Sequence, residues 1–369
     1  MSYVHECPDW PNFRWNDGKL LPLLAEVRHR QGRLLGRMEG LGFPLQAEAS
    51  LNTLTADVVK SSAIEGEQLD AAQVRSSIAR RLGLDHGGKA QPNRDVEGVV
   101  EMMLDATQKY AEPLTAERLF GWHAALFPTG RSGMRRITVG GWRAAELGPM
   151  QVVSGPIGRE KVHFEAPAAG RIEPEIAAFL KWFEGTNEMD PVLKAGLAHF
   201  WFVTIHPFED GNGRISRAVA DMALARAEGT PQRFYSMSTQ IETEKKRYYF
   251  NLEQSQSGGM DLTSWLEWFL GCLGRAIAGA EGALAVVLRK ARLWEKINSQ
   301  SRVNERQQRI INRLLDGFEG KLSSSKYAKI ARCSSDTALR DITELIGRGI
   351  LIQAPGGGRN TSYRLADPG

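Results

Sequence analysis

One stretch of twelve residues, 206–217, constrains the fold of this chain most; it reads HPFEDGNGRISR. Apolar residues recur at helical spacing before and after it, which predicts a helix, a tight turn and a second helix. Gly211 and Gly213 would let backbone N–H groups crowd together where the second helix begins, and such a helix start attracts anions. Arg214 and Arg217 would project from one face of that helix, with donors suited to phosphate oxygens. The stretch therefore predicts a phosphate site.

Two further side chains of the stretch suit a polyphosphate ligand. Asp210 can hold Mg²⁺, because this ion prefers one or two carboxylates together with phosphate oxygens. His206, at the mouth of the turn, has an ordinary pKa suitable for taking a proton near neutral pH. The residues alone thus predict a nucleotide-phosphate site with a general base. A His-Pro helix end followed by solvated arginines is the structural alternative.

The stretch resembles the signature of the Fic (filamentation induced by cAMP) family, His-Pro-Phe-x-Asp/Glu-Gly-Asn-Gly-Arg-x-x-Arg, and every fixed position is filled. The resemblance implies transfer of AMP from ATP to a hydroxyl group of a target protein, with pyrophosphate leaving. It also implies that His206 deprotonates the attacking Ser, Thr or Tyr hydroxyl, and that Asp210 holds Mg²⁺ against the α- and β-phosphates.

The same resemblance implies roles for the other positions of the stretch. Gly211, Asn212 and Gly213 would cradle the phosphates, Arg214 would neutralise charge on them, and Arg217 would position the γ-phosphate. The Doc branch of the superfamily, which transfers phosphate, has a lysine where this chain has Gly213. The glycine therefore favours AMP transfer.

A second motif lies upstream, in a region whose apolar spacing predicts one or two helices. Residues 61–66 read SSAIEG and fit the pattern Ser/Thr-x-x-x-Glu-Gly/Asn, which in the Fic family marks an inhibitory helix. Ser61 and Glu65 are four residues apart, so they share one helix face. The resemblance implies that Ser61, Glu65 and Gly66 form an inhibitory segment in which Glu65 pairs with Arg217. An ordinary solvated glutamate is the alternative.

Between residues 130 and 164 the helical periodicity fades, and extended runs separated by glycines predict a β-hairpin with exposed edges. In the Fic family a hairpin flap from this region pairs with the target's backbone, and an edge strand can bind an extended peptide in this way. By position, the best candidate for that strand comprises Met150, Gln151, Val152, Val153 and Ser154. A merely structural hairpin is the alternative.

A tyrosine-rich helix is predicted near residues 240–254, and in the family such a helix borders the adenine and ribose. The resemblance makes Tyr249 the candidate for stacking on the base, with Tyr248 in the core. His199, on a largely apolar helix, is interpreted as a core histidine.

Residues 303–369 resemble a winged helix-turn-helix module, with three helices followed by two short strands around a glycine-rich loop. We expect Ser335, Thr337 and Arg340 on the exposed side of the last helix, whereas the apolar residues expected to face inward are Leu339, Ile342, Leu345 and Ile346. Lys and Arg outnumber Asp and Glu here, which is consistent with a DNA partner. A packing or dimerisation unit is the alternative.

The whole chain of 369 residues is long enough for two or three domains. We expect a mainly α protein with a small β-hairpin flap, divided into an N-terminal helical region with the inhibitory helix (1–110), a Fic catalytic core (111–290) and a winged helix domain (300–369). No stretch has the length of a transmembrane helix, and the start lacks a signal pattern. The three cysteines are widely scattered, which argues against a disulfide framework and for a cytoplasmic protein.

Taken together, these features predict a protein adenylyltransferase that uses ATP and Mg²⁺ and is autoinhibited by Glu65 pairing with Arg217. Self-modification, a homodimer and DNA contact through residues 300–369 are left open, and no membrane partner is expected. The alternatives are a nucleotide-sensing DNA-binding regulator, or a Fic enzyme with a different transfer or an AMP-removal reaction.

Overall fold

The computed structural model describes residues 3–84, 90–145, 148–155, 159, 161–186, 188–300, 303–315, 318, 321–354 and 361–366. These residues form α-helices and three small antiparallel hairpins, which confirms the expected mainly α fold. Contacts divide the chain into an amino-terminal unit, Met1–Ala280, and a carboxy-terminal unit, Glu281–Gly369.

The amino-terminal unit is built from ten helices and the first part of an eleventh among the residues described. In chain order they are α1 (Asp17–Glu39), α2 (Phe43–Ile64), α3 (Ala71–Arg81), α4 (Arg94–Gln108), α5 (Ala116–Leu126), α6 (Ile172–Glu184), α7 (Pro191–Ile205), α8 (Asn212–Glu228), α9 (Met237–Thr243), α10 (Lys245–Gln256) and α11 (Thr263–Gln300). Two hairpins lie between α5 and α6: β1 (Arg131–Ser132) with β2 (Arg135–Arg136), and β3 (Gln151–Ser154) with β4 (Lys161–Glu165).

Helices α7 and α8 form the centre of this unit. Almost every residue of α7 is buried, as expected for a helix that is apolar on all sides. A Cβ on Gly196 would lie 2.9 Å from the ring of Phe269, so the glycine lets α11 pack closely against α7. His199 is buried and its Nε2 lies 2.9 Å from the hydroxyl of Tyr248, so both side chains belong to the core.

A buried polar network joins α2 to the segment that follows α8. Asp57 of α2 accepts hydrogen bonds from the Ser236 hydroxyl at 2.5 Å and from the Ser238 backbone at 3.3 Å. Arg233, which is fully buried, pairs with Asp221 at 2.9 Å. Burial, reinforced by the nearby Asp221 carboxylate, raises the pKa of Asp57 to about 8. This network holds α2 one helical turn before Ser61.

The carboxy-terminal unit contains three short helices and a hairpin within the described residues: α12 (Glu305–Leu315), α13 (Ser324–Ala331), α14 (Ser335–Gly347), β5 (Leu351–Gln353) and β6 (Tyr363–Leu365). Arg332 takes a left-handed conformation in the turn between α13 and α14. The glycine-rich loop predicted around residues 356–359 lies outside the described residues. The winged helix identity stays a prediction.

The expected inward face of α14 was wrong at two positions. Leu339 and Ile346 are 53% and 38% exposed, whereas Ile342 and Leu345 are buried. The buried stripe instead begins at Ala338 and includes Asp341, which binds Arg306 and the hydroxyl of Tyr327. Spacing alone did not distinguish the two stripes, because a buried carboxylate occupies a position where an apolar residue was expected.

Candidate active site

The turn between α7 and α8 is shaped by two left-handed residues. His206 has φ 53° at the end of α7, and Gly211 has φ 81° at the start of α8. A left-handed conformation is uncommon for a residue with a side chain, and such positions cluster at functional sites. Asn212 braces the turn, since its side chain accepts from the Phe208 N–H at 3.0 Å and donates to the Phe208 carbonyl at 2.9 Å.

The hydrogen bonds of the Asn212 side chain determine which groups at the start of α8 are available to an anion. The Asn212 side chain is occupied by the Phe208 backbone, so its contribution to a phosphate cradle would come from its backbone N–H. The N-cap Gly211 has no side chain to accept from the first-turn N–H groups. These groups and the helix dipole are therefore left for a ligand.

His206 is held as a neutral imidazole. Its Nδ1 lies 3.2 Å from the carbonyl of Val203, which assigns the proton to Nδ1 and leaves the Nε2 lone pair to accept one. Burial lowers the pKa of His206 to about 4, and the nearby Arg143 cation acts in the same direction. At neutral pH the imidazole is therefore uncharged, with its single proton on Nδ1.

Arg143 positions His206 and was missed by the sequence analysis. Its Nε donates to the His206 carbonyl at 2.8 Å, and its backbone N–H donates to the Pro207 carbonyl at 3.0 Å. It also donates to the carbonyl of Pro167. Arg143 is separated from the turn by more than sixty positions, and no local pattern marked it.

Arg217 is buried in a pocket made by the predicted inhibitory segment. Its Nε donates to the Ser61 hydroxyl and its Nη2 to the Ser61 carbonyl, both at 2.9 Å. Nη2 also lies 2.8 Å from Oε1 of Glu65, which caps the C-terminus of α2, and the following Gly66 has φ 90°. Its Nη1 has no hydrogen-bond partner among the described residues. A buried donor left this way is costly, so it points to a ligand.

Gly213 allows the contact between Glu65 and Arg217. A Cβ on Gly213 would lie 2.1 Å from Oε1 of Glu65 and 3.3 Å from Nη1 of Arg217. A larger residue here would displace the carboxylate. The glycine thus serves the predicted inhibitory pair as well as the predicted phosphate cradle.

Arg214 also has a carboxylate partner, which the sequence analysis missed. Its Nη1 lies 2.5 Å from Oε2 of Glu67, and its guanidinium stacks 5.1 Å from the ring centre of Phe127. Burial raises the pKa of Glu67 despite the opposing effect of Arg214, and repulsion from Asp210 adds to the rise. A second glutamate two positions after Glu65 was the available signal.

Asp210 lies at the edge of the same turn. Its Oδ1 accepts from the Gly211 N–H at 2.5 Å, and its Oδ2 accepts from the hydroxyl of Ser132 on β1. Among the described residues, no three His, Cys, Asp or Glu side chains are grouped closely enough to hold a metal. A single carboxylate beside an anion-binding helix start nevertheless fits Mg²⁺, which takes most of its ligands from phosphate and water.

A cavity of about 590 Å³ joins the predicted site residues. This volume is in the range of small-molecule sites. The walls include Glu65 from the predicted inhibitory segment, His206 and Gly213 from the predicted phosphate site, Tyr249 from α10, and Val152, Val153 and Ser154 from the predicted flap. The hydroxyl of Tyr249 donates to the Ile64 carbonyl at 3.4 Å. The Met150 carbonyl accepts from the N–H of Ala166, the residue after β4, and the Gln151 side chain donates to Glu165 of β4.

Comparison with protein families gives two matches. Residues 113–224 match the Fic/DOC family, and residues 3–84 match a domain of unknown function, DUF4172. The first range contains the candidate turn and the start of α8, which confirms the predicted Fic resemblance. The helices described here include none with the length and apolar character that a membrane crossing requires.

Curated relatives are named protein adenylyltransferases. The chain is 25% identical over 247 residues to protein adenylyltransferase fic-1 of Caenorhabditis briggsae, covering 65% of this chain and 45% of that protein. It is 24% identical over 225 residues to protein adenylyltransferase Fic of Drosophila mojavensis, covering 60% and 40%. The chain thus spans less than half the length of these relatives.

Two solved structures share the fold. A Fic family protein from Desulfovibrio desulfuricans G20 aligns with a TM-score of 0.55 and 22% identity over 95% of this chain and 97% of that one. A Fic domain containing signaling protein from Bacteroides thetaiotaomicron VPI-5482 aligns with a TM-score of 0.52 and 16% identity, covering 69% and 96%. At these identities the likeness concerns the fold.

Proposed function

Because residues 113–224 form a Fic/DOC domain, we propose that this chain transfers AMP from ATP to hydroxyl groups of proteins and is autoinhibited by Glu65. One observation carries the proposal: the Glu65 carboxylate lies 2.8 Å from Arg217, and a single cavity contains Glu65, Gly213 and the base His206. The names of the curated relatives support the transferase class.

The residues of this chain can bind and orient a triphosphate. The first-turn N–H groups of α8 would bind the phosphate oxygens, and Arg214 and Arg217 would supply two guanidinium groups from adjacent turns. Asp210 would hold Mg²⁺, which would neutralise negative charge on the phosphate oxygens. Tyr249, on the cavity wall, offers a ring for the base.

His206 would accept the proton of the attacking hydroxyl at Nε2. The hydroxyl oxygen forms a bond to the α-phosphorus while the bond from that phosphorus to the bridging oxygen breaks, and pyrophosphate leaves. A neutral imidazole is required for this step, and the lowered pKa of His206 keeps it neutral at physiological pH. Arg143 is a positioning residue, because it acts through the His206 backbone.

Inhibition would follow from competition for Arg217. While Glu65 holds this arginine, the γ-phosphate lacks its partner and the α-phosphate faces the hydroxyl poorly. A misplacement of about 1 Å costs on the order of a hundredfold in rate. The space that Gly213 leaves is filled by the Glu65 carboxylate, so removing that side chain would open the cradle.

The decisive experiment compares the wild-type chain with Glu65→Gly. Each protein is incubated with ATP, Mg²⁺ and a cell lysate, and mass spectrometry searches for AMP on proteins. We expect about a hundredfold more transfer from Glu65→Gly, no transfer from the double variant Glu65→Gly/Arg217→Ala, and wild-type behaviour from Glu48→Gln, which alters another α2 glutamate. Equal activity of Glu65→Gly and wild type at saturating ATP would exclude this mechanism.

A second candidate function concerns the carboxy-terminal unit. Arg332 and Arg340 are exposed on the turn and helix that follow α13, which favours contact with an anionic polymer such as duplex DNA.

We also propose a reducing, cytoplasmic location, because Cys7, Cys272 and Cys333, all within the described residues, are free thiols.

A further inference from the structure

Three side chains form a hydrogen-bonded chain between the flap and α10. The hydroxyl of Ser154, at the end of β3, lies 2.5 Å from Nε2 of His163 on β4. Nδ1 of the same histidine lies 2.8 Å from Oε2 of Glu253 on α10. Glu253 also accepts from Lys161 at 3.2 Å. In the β3–β4 register Ser154 lies opposite Lys161. The contacts of Lys161 and His163 with Glu253 therefore lie at the same end of the hairpin as Ser154.

The carboxylate assigns the direction of these hydrogen bonds. Hydrogen bonds from His163 and Lys161 outweigh partial burial and hold the pKa of Glu253 below its ordinary value, so this residue is an acceptor. Nδ1 of His163 therefore donates to Glu253, and in the tautomer with its single proton on Nδ1 the Nε2 lone pair accepts from the Ser154 hydroxyl. A hydroxyl, an imidazole and an orienting carboxylate in this order are the arrangement of an activated nucleophile.

The position of this hydroxyl relates it to the candidate active site. Ser154, His163 and Glu253 all line the cavity that also contains His206 and Gly213. Among the described lining residues, two others carry a hydroxyl group, Tyr248 and Tyr249. Burial raises the pKa of both phenols, that of Tyr249 to about 12, and both are engaged, with His199 and the Ile64 carbonyl. Among the residues described, Ser154 is thus the cavity hydroxyl best prepared to react.

We propose that Ser154 is itself an acceptor of AMP, activated by His163 and Glu253; the inference rests on the proposed transferase function. The Ser154 oxygen forms a bond to the α-phosphorus of ATP, the bond to the bridging oxygen breaks, and pyrophosphate leaves. The hydroxyl proton moves to Nε2 of His163, and Glu253 stabilises the resulting imidazolium. AMP attached to Ser154 would occupy the cavity that the hydroxyl group of a target protein must enter.

The test maps AMP on the full chain itself. Glu65→Gly protein is incubated with ATP and Mg²⁺ without lysate, digested, and analysed by mass spectrometry for each hydroxyl residue. We expect AMP on Ser154, with a first-order rate constant independent of protein concentration because the step is intramolecular. His163→Phe in the same background should lower that rate constant by about a hundredfold, and Glu253→Gln should lower it less. Ser154→Thr should retain modification, whereas Ser154→Ala should lose it.

Two outcomes separate this inference from the proposed function. AMP on lysate proteins or on other residues of this chain, with Ser154 unmodified, would overturn the inference and leave the transferase proposal standing. If no protein carries AMP, either in the incubation with lysate or in the incubation without it, the transferase proposal is overturned and this inference with it. If His163→Phe disturbs the hairpin, Glu253→Gln keeps the test valid, and an unchanged rate in that variant would also contradict the proposed activation.

Discussion

Oε2 of Glu67 lies 2.5 Å from Nη1 of Arg214. Glu67 follows Glu65, the partner of Arg217, by two residues. Both arginines of the twelve-residue stretch are therefore paired with carboxylates from the segment that ends α2. The two pairs differ in exposure, since the Glu67 side chain is 48% exposed and that of Glu65 is 31% exposed. The partner arginines are both buried.

This second pair predicts that Glu67→Gln increases ATP affinity. Neutralising the carboxylate frees Arg214 for a phosphate, and we expect a gain of roughly threefold to fivefold, since a half-exposed pair contributes less than about 1 kcal/mol. The measurement is calorimetric ATP binding at low and high salt, with Glu48→Gln as the control. The gain should shrink at high salt, because screening weakens the pair. An unchanged affinity at low salt would show that Glu67 does not compete with the nucleotide.

The base is tested by His206→Ala in the Glu65→Gly background. Loss of the proton acceptor should reduce AMP transfer to lysate proteins on the order of a hundredfold to ten-thousandfold, while ATP affinity changes little, since the imidazole acts on the incoming hydroxyl. Single-turnover transfer and calorimetric ATP binding give the two values. Transfer at the parental rate would mean that another group takes the proton.

The buried network makes stability depend on pH through Asp57. Its folded-state pKa, about 8, lies above the ordinary value of 3.8, so the folded protein keeps a proton that the unfolded chain loses. The stabilisation that the protonated Asp57 carboxyl gives to the folded state is fully present below pH ~4 and is lost as the pH rises to ~8. Asp57→Asn keeps the acceptor for Ser236 and removes the titration.

We therefore expect the unfolding free energy of Asp57→Asn, relative to wild type, to increase steadily from pH 5 to pH 8 in urea unfolding. The control is Asp9→Asn, an exposed aspartate that pairs with Arg14. Parallel pH curves for wild type and Asp57→Asn would contradict the raised pKa.

Duplex binding tests the proposed role of the carboxy-terminal unit. If Arg332 and Arg340 contact phosphates, the affinity of the full chain for duplex DNA should fall steeply with salt, and each Arg→Ala change should reduce the log–log slope by about 0.9. Fluorescence anisotropy of a labelled duplex measures this, with Arg80→Ala as the control. Absence of salt-dependent binding would leave a packing or dimerisation role.

The sequence predicted those parts of the site that are close together in the chain. The stretch from His206 to Arg217 folds into a single turn and helix start, so spacing carried most of the information. Arg143 and Ser132 reach that turn from other elements, and nothing in their local sequence indicated the contact, whereas the position of Glu67 two residues after Glu65 was a signal that the sequence analysis did not use. The prediction that Leu339 faces inward was wrong for a related reason. The buried face of α14 includes Asp341, whose carboxylate binds Arg306, where an apolar residue was expected.

Glu65 is the C-cap of α2, and the next residue, Gly66, has φ 90°. Releasing the carboxylate therefore needs only a few backbone torsions beyond Ile64 and leaves the core of α2 in place. A local equilibrium of this kind, with a gap of a few kcal/mol, keeps between about 0.1% and 10% of molecules released at any moment. With the proposed AMP transfer, resting cells would thus carry a basal level of modified protein that is proportional to the amount of this chain. A partner that binds the released Glu65 segment more tightly than the paired one would raise that level by the ratio of the two affinities.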